Sequence, residues 1–110
     1  MAVSIKKVNE DINNFVAEVV NQFQPERVIL YGSHASGNSD VDSDVDILVE
    51  MNFEGRGYQK AFEIRKNIKR SFPLDIIVRR PADVASRIDK DDFFFREIME
   101  TGKVLYERTG

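Results

Sequence analysis

Four aspartates, Asp40, Asp42, Asp44 and Asp46, fall within seven positions, and a fifth, Asp75, interrupts the apolar run Leu74-Asp75-Ile76-Ile77-Val78. Asp and Ser are common in solvated turns, which accounts for Asp40 and Asp42. It accounts poorly for Asp46, which sits inside Asp44-Val45-Asp46-Ile47-Leu48-Val49. A calcium loop could use Asp40, Asp42 and Asp44 as its first, third and fifth ligands, but it then needs Gly at the sixth position and Glu at the twelfth. The chain has Val45 and Met51 there, and starting the count at Asp42 gives Ile47 and Phe53.

A magnesium site fits better. A strand alternates its faces, so Asp44 and Asp46 project one way while Val45 and Ile47 face a core. Two adjacent carboxylates repel, and burying them unpaired is costly. A divalent cation relieves that repulsion, and Mg²⁺ takes carboxylate oxygens together with substrate phosphates. Alone, Asp75 reads as a polar edge-strand position. Three aspartates on two strands are better explained by one shared acidic site.

The preceding segment supplies the phosphate half. Gly32-Ser33 follows the apolar run Val28-Ile29-Leu30-Tyr31. Glycine permits close backbone approach, and the N–H groups of such a turn can hold phosphate oxygens. A lone Gly-Ser mostly marks an ordinary turn. Gly-Ser after a strand, then Ser-Asp-x-Asp opening the next one, is far more specific.

These residues need elements to hold them. Ile5, Val8, Ile12, Phe15, Val16, Val19 and Phe23 follow helical spacing over residues 4–23, and Gln24-Pro25 ends that helix. Strands are expected over 28–31, 44–50 and 74–78. Residues 32–43 read as a loop in which Ser33 can cap one helical turn, and 53–57 as a second loop. An amphipathic helix is expected from Tyr58 to Phe72, where Pro73 breaks it. Pro81 starts a short helix over 81–88, and Asp89 or Asp91 caps another over 92–101 that Gly102 stops. Residues 103–107 form a short last strand. The order predicts one α/β (α+β) domain spanning 1–110, a small mixed sheet flanked by helices.

Composition narrows the function. At 110 residues one domain is expected, with a modest core. With no Cys and a single His, disulfides, thiol nucleophiles, Cys-based metal centres and multi-His zinc sites are excluded. The net charge of -3 argues against bulk nucleic-acid binding. No apolar run approaches the ~20 residues of a membrane span, and Met1 to Glu10 lacks the apolar core of a secretory signal. The expected setting is the cytoplasm.

Tyr31-Gly32-Ser33-His34-Ala35-Ser36-Gly37 followed by Ser43-Asp44-Val45-Asp46-Ile47-Leu48-Val49 resembles the nucleotidyltransferase (DNA polymerase β-like) superfamily. The short length resembles its minimal branch, which is typically paired with a small helical HEPN-domain protein, often as antitoxin and toxin. The resemblance runs from Val28 to Tyr106 and includes the helix-Gly-strand close from Glu97 to Glu107. It implies that Asp44 and Asp46 hold two Mg²⁺ ions, and that Asp75 is the third carboxylate, which helps bind the catalytic metal. It implies that Gly32 and Ser33, with His34 and Ser43 beside them, bind the nucleoside triphosphate. The implied reaction transfers a nucleoside monophosphate, AMP from ATP, to a hydroxyl and releases pyrophosphate. The implied acceptor is a tyrosine of the HEPN-type partner.

One departure matters. The family often has Arg where this chain has His34, and again where it has Ser36. His34 can substitute in part when protonated, or Arg79 and Arg80 after the third strand can compensate. The alternatives are a surface imidazole and two solvated strand-end charges. The basic outer face with Lys60, Arg65, Lys66, Lys69 and Arg70 reads as solvated. Phe93-Phe94-Phe95 cannot all face one core from a helix, so at least one is expected to be exposed or covered by a partner. Tyr31, Tyr58 and Tyr106 need no role beyond packing. Two other functions stay open: an antitoxin that neutralises its partner by occlusion, and transfer to a small-molecule or RNA acceptor.

Overall fold

The computed structural model describes residues 4–109. Along the chain run α1 (Ile5–Phe23), β1 (Arg27–Tyr31), α2 (Ser33–Ser36), β2 (Val45–Glu50), α3 (Gly57–Asn67), β3 (Leu74–Arg79), α4 (Pro81–Asp89), α5 (Phe93–Thr101) and β4 (Lys103–Glu107). This is the expected order, with α2 as a single helical turn; Ser33 does not cap it but is its first residue, since Gly32 holds the N-cap position and no side chain caps the turn. The strands form one mixed sheet in the order β3-β2-β1-β4. β1 pairs antiparallel with β2 and β4, whereas β2 and β3 are parallel and joined through α3.

Strand alternation sorts the side chains onto two faces. One face carries Val28, Leu30, Val45, Ile47, Val49, Leu74, Ile76 and Val78, packed with Val8, Ile12, Phe15, Val16 and Val19 of α1 and Ala61 and Ile64 of α3. The other carries Ile29 and Leu48, covered by Val84 of α4 and Phe95 and Ile98 of α5. Helices therefore lie on both faces, and the acidic positions belong to the second.

Several boundaries shift by a residue, which leaves Asp44 just outside β2, and two features differ more. α3 ends at Asn67, not Phe72: Ile68 is extended, and the Asn67 side chain donates to the Glu63 carbonyl at 2.8 Å. The apolar spacing continued because Ile68 and Phe72 are still buried, but in an irregular segment before Pro73. α5 is capped by Asp92, which accepts from the N–H groups of Phe94 and Phe95, not by Asp89 or Asp91. Asp91 has φ 61° and turns the chain between the two helices.

Candidate active site

The register places the sequence-predicted residues on one sheet face in three ranks. Tyr31, Asp46 and Asp75 lie side by side across β1, β2 and β3. The next rank is Ile29, Leu48 and Ile77, and the third is Arg27, Glu50 and Arg79. The apolar middle rank lies beneath α4 and α5. The first rank emerges beyond that cover, so its polar groups meet solvent at one end of the sheet. In the third rank Glu50 is 2% exposed and is held by the Arg27 guanidinium, a buried charge kept with its partner.

Asp46 is the centre of the first rank. Asp75 is its cross-strand partner, and Asp44 precedes it by two positions just before β2. Its carboxyl is held above the usual aspartate range, first by burial, then by the charges of Asp75 and Asp44, while His34 acts in the opposite sense. Asp46 thus feels both neighbouring carboxylates. Tyr31 shares the same field: burial, then Asp75 and Asp46, push its hydroxyl well above the ordinary tyrosine value, with Arg79 opposing. Tyr31 is accordingly a neutral, half-buried neighbour of the acids, a placement that its sequence position alone does not reveal.

The Gly32-Ser33 turn closes against Asp46. Gly32 has φ 75°, and a Cβ added there would collide with Oδ2 of Asp46. Glycine is therefore required twice, for its conformation and for this approach. The Gly32 carbonyl accepts from the N–H groups of Ala35 and Ser36, each at 3.1 Å. Among the described residues the Ser33 hydroxyl and the N–H groups of Ser33 and His34 have no such partner.

His34 and Ser43 do something else. His34 is 6% exposed; its Nε2 lies 3.0 Å from the Ser43 carbonyl and its Nδ1 3.0 Å from the Ser39 hydroxyl. A carbonyl only accepts, so Nε2 donates to Ser43, while Nδ1 pairs with the Ser39 hydroxyl. Both nitrogens are used, and His34 clips α2 to the loop that delivers Asp44. The Ser43 hydroxyl is likewise taken, bonded to the Asp40 N–H at 3.0 Å and near Asp40 Oδ1 at 3.3 Å. Asp40 also accepts from the Asp42 N–H at 2.9 Å, so these two loop acids are turn residues, as expected.

Neither Arg79 nor Arg80 is brought to the turn. Arg80 donates to the carbonyls of Phe53 and Gly55 at 3.1 and 2.9 Å and stacks on the Phe53 ring, so it fastens the loop before α3. Arg79 lies in the third rank and lines a cavity of about 660 Å³ with Arg87 of α4 and Lys90 just after it. In the basic helix, Lys60 pairs with Glu63 at 2.9 Å and Arg65 donates to the Leu74 carbonyl. Of the Phe run, Phe93 is 82% exposed, Phe94 45% and Phe95 6%, which meets the expectation that one helix cannot bury all three.

No group of three or more His, Asp or Glu side chains among the described residues makes a complete metal cage. Mg²⁺ does not need one, since it commonly takes one or two carboxylates and completes its shell with water and phosphate oxygens. Asp44 and Asp46 are hard oxygen donors, and the repulsion from Asp75 and Asp44, which adds to burial in raising the Asp46 carboxyl, is what a cation relieves. The donor set therefore fits the ion.

A mixed sheet that sets a Gly-Ser turn against in-register carboxylates defines an α/β domain built for nucleotidyl transfer. The chain belongs to the polymerase beta nucleotidyltransferase family: the model described as "Polymerase beta, Nucleotidyltransferase" matches residues 10–109. Among solved structures, a candidate nucleotidyltransferase from Sulfolobus solfataricus superposes with a TM-score of 0.59 at 19% identity, over 90% of this chain and 79% of that one. A toxin–antitoxin assembly solved with AMP-PNP superposes at 0.54 and 18% identity, over 88% of this chain and 74% of that one. These likenesses establish the fold. A search of curated proteins gives no match. Among the described residues no helix is long and apolar enough to cross a membrane.

Proposed function

We propose that this chain is a Mg²⁺-dependent nucleotidyltransferase that moves AMP from ATP onto a hydroxyl of a partner protein, a tyrosine of a HEPN-type toxin, and so serves as a cytoplasmic antitoxin. The observation that carries this reading is the contact between its two halves: Gly32 of the phosphate turn packs on the carboxylate of Asp46, which has Asp75 beside it in register. The toxin–antitoxin assembly of similar fold, solved with an ATP analogue, supports both the nucleotide and the protein partner.

Asp44 and Asp46 would hold the metal, with Asp75 beside them. Two bound Mg²⁺ ions would supply charge neutralisation at the attacking and leaving oxygens. The chain's own groups set the direction. The turn lies on the β1 side of Asp46 and Asp75 on the β3 side. In-line displacement needs the leaving and attacking oxygens on opposite sides of phosphorus. Pyrophosphate therefore leaves toward Ser33, and the acceptor hydroxyl enters over Asp75 at the sheet edge. Its oxygen bonds to the α-phosphorus, the bond from that phosphorus to the bridging oxygen breaks, and the hydroxyl proton passes to the Asp75 carboxylate.

The test is incubation with ATP, Mg²⁺ and the HEPN-type partner, followed by mass spectrometry of the partner. An added AMP on a tyrosine is expected, and its loss in the Asp44→Asn, Asp46→Asn double variant. No added mass with folded protein across a range of partner concentrations would count decisively against transfer.

A second reading, neutralisation by occlusion, is favoured by His34. Its inward position leaves the turn without a cationic side chain for the triphosphate. Under that reading the double Asn variant still protects cells from the toxin.

A further inference from the structure

A cavity of about 310 Å³ lies between the phosphate turn and α5, lined by Tyr31, Gly32, Ser36, Phe94, Glu97 and Thr101. Its size is at the lower end of the ~300–1,000 Å³ typical of small-molecule sites. Gly32 in its wall is the residue packed on the Asp46 carboxylate, so a group bound here is next to the reacting centre. The Phe94 ring is held edge-to-face by Tyr31 at 5.7 Å and by Phe95 at 5.2 Å, yet Phe94 remains 45% exposed. An aromatic ring braced by two others and still open to solvent is a rigid stacking surface. Glu97 lies three residues on, on the same helix face, and among the described residues its carboxylate has no hydrogen-bond or ion-pair partner.

We infer that this cavity seats the nucleobase of the triphosphate, stacked on Phe94, with Glu97 selecting the base by its amino group. The inference rests on the nucleotidyltransferase reading and deepens it. With pyrophosphate leaving toward Ser33 and the acceptor entering over Asp75, both apical directions at phosphorus are taken. The nucleoside must leave sideways. Inward along the strands the way is closed by Ile29, Leu48 and the α5 residues above them. Over the rim it meets Phe94. A carboxylate can only accept hydrogen bonds. It pairs with the exocyclic amine of adenine, cytosine or guanine, and it is opposed by uracil, whose single ring N–H in reach stands between two carbonyl oxygens. The site therefore favours ATP over UTP.

The test is equilibrium binding of MgATP, MgUTP and magnesium tripolyphosphate, the last of which has no base. Phe94→Ala is expected to weaken MgATP at least about fivefold, the lower end of what one base–aromatic stack contributes, and to leave tripolyphosphate unchanged. Phe94→Tyr restores ATP binding. Glu97→Gln, whose amide both donates and accepts, narrows the preference for ATP over UTP. Glu97 is exposed, so this arm decides the matter even where Phe94→Ala fails to fold. Equal losses of ATP and tripolyphosphate in Phe94→Ala, or an ATP preference untouched by Glu97→Gln, overturn the base site alone. A wild-type chain that binds neither ATP nor tripolyphosphate overturns the nucleotidyltransferase reading with it.

Discussion

Replacing Asp46 with Asn should stabilise the metal-free protein at neutral pH. Asp46 faces Asp75 directly across β2 and β3 and follows Asp44 by two positions. Its carboxyl is held above the ordinary range, by burial first and by those two charges next. Like charges opposed across a sheet cost a few tenths to about 1 kcal/mol each at partly exposed positions. Asn is nearly the same size, and among the described residues the Asp46 carboxylate makes no hydrogen bond that Asn would lose. Relief of two such repulsions gives about 1 kcal/mol, or about 4 °C in melting temperature for a domain of this size.

The pH dependence has a definite sign. Asp46 binds its proton more tightly folded than unfolded, so stability falls as pH rises through the two values. Below the ordinary aspartate range the carboxyl is protonated in both states, and Asp and Asn should melt alike. The gap opens as pH rises through that range and the raised folded value, and is complete above it. Thermal melts of both proteins from acid to neutral pH at low salt, with EDTA, read this out. Added Mg²⁺ should raise the wild-type melting temperature and close the gap, because the ion binds only the folded arrangement. High salt should shrink it. An Asn variant that melts at or below wild type at neutral pH, low salt and no divalent ion would refute the electrostatic reasoning.

Three further outcomes follow from named contacts. Gly32→Ala forces a side chain into positive φ and into the Asp46 carboxylate; melting should show a loss of about 1–3 kcal/mol, and titration should show MgATP binding abolished. His34→Ala leaves the Ser43 carbonyl without its donor and should cost about 1–3 kcal/mol in denaturant unfolding, most of it recovered by His34→Gln, whose amide can still donate. Arg27→Ala strands the buried Glu50 charge and should cost about 3 kcal/mol in urea unfolding, and Glu50→Gln in that background should recover part of it.

What was legible in the sequence was whatever depends on neighbours along the chain. Apolar spacing marked α1, β1, β2 and β3, and Gly32-Ser33 with Asp44-x-Asp46 marked the two halves of the candidate site, because a strand and a turn are written in consecutive residues. The end of α3 was not, because Ile68 and Phe72 are buried in an irregular segment and burial alone mimics helical spacing. The contacts of His34 were not legible for a related reason. Its partners, Ser39 and the Ser43 carbonyl, lie on a loop whose path back over α2 no local pattern encodes.

Tyr31 makes the same point about register. From sequence it is only the last residue of an apolar run, and packing is a sufficient account of it. Pairing β1 antiparallel to β2 with Tyr31 opposite Asp46, and β2 parallel to β3 with Asp46 opposite Asp75, turns three separate residues into one rank. A one-residue slip in either pairing would send a strand's side chains to the opposite face. What fixes the register is the apolar rank behind them, Ile29, Leu48 and Ile77 beneath α4 and α5, together with the buried Glu50 held by Arg27 behind that. The chemistry at one end of the sheet is thus positioned by residues that take no part in it. Substitutions in the middle rank should disturb nucleotide binding by shifting Asp46 against Asp75, even though none of those side chains can touch a phosphate.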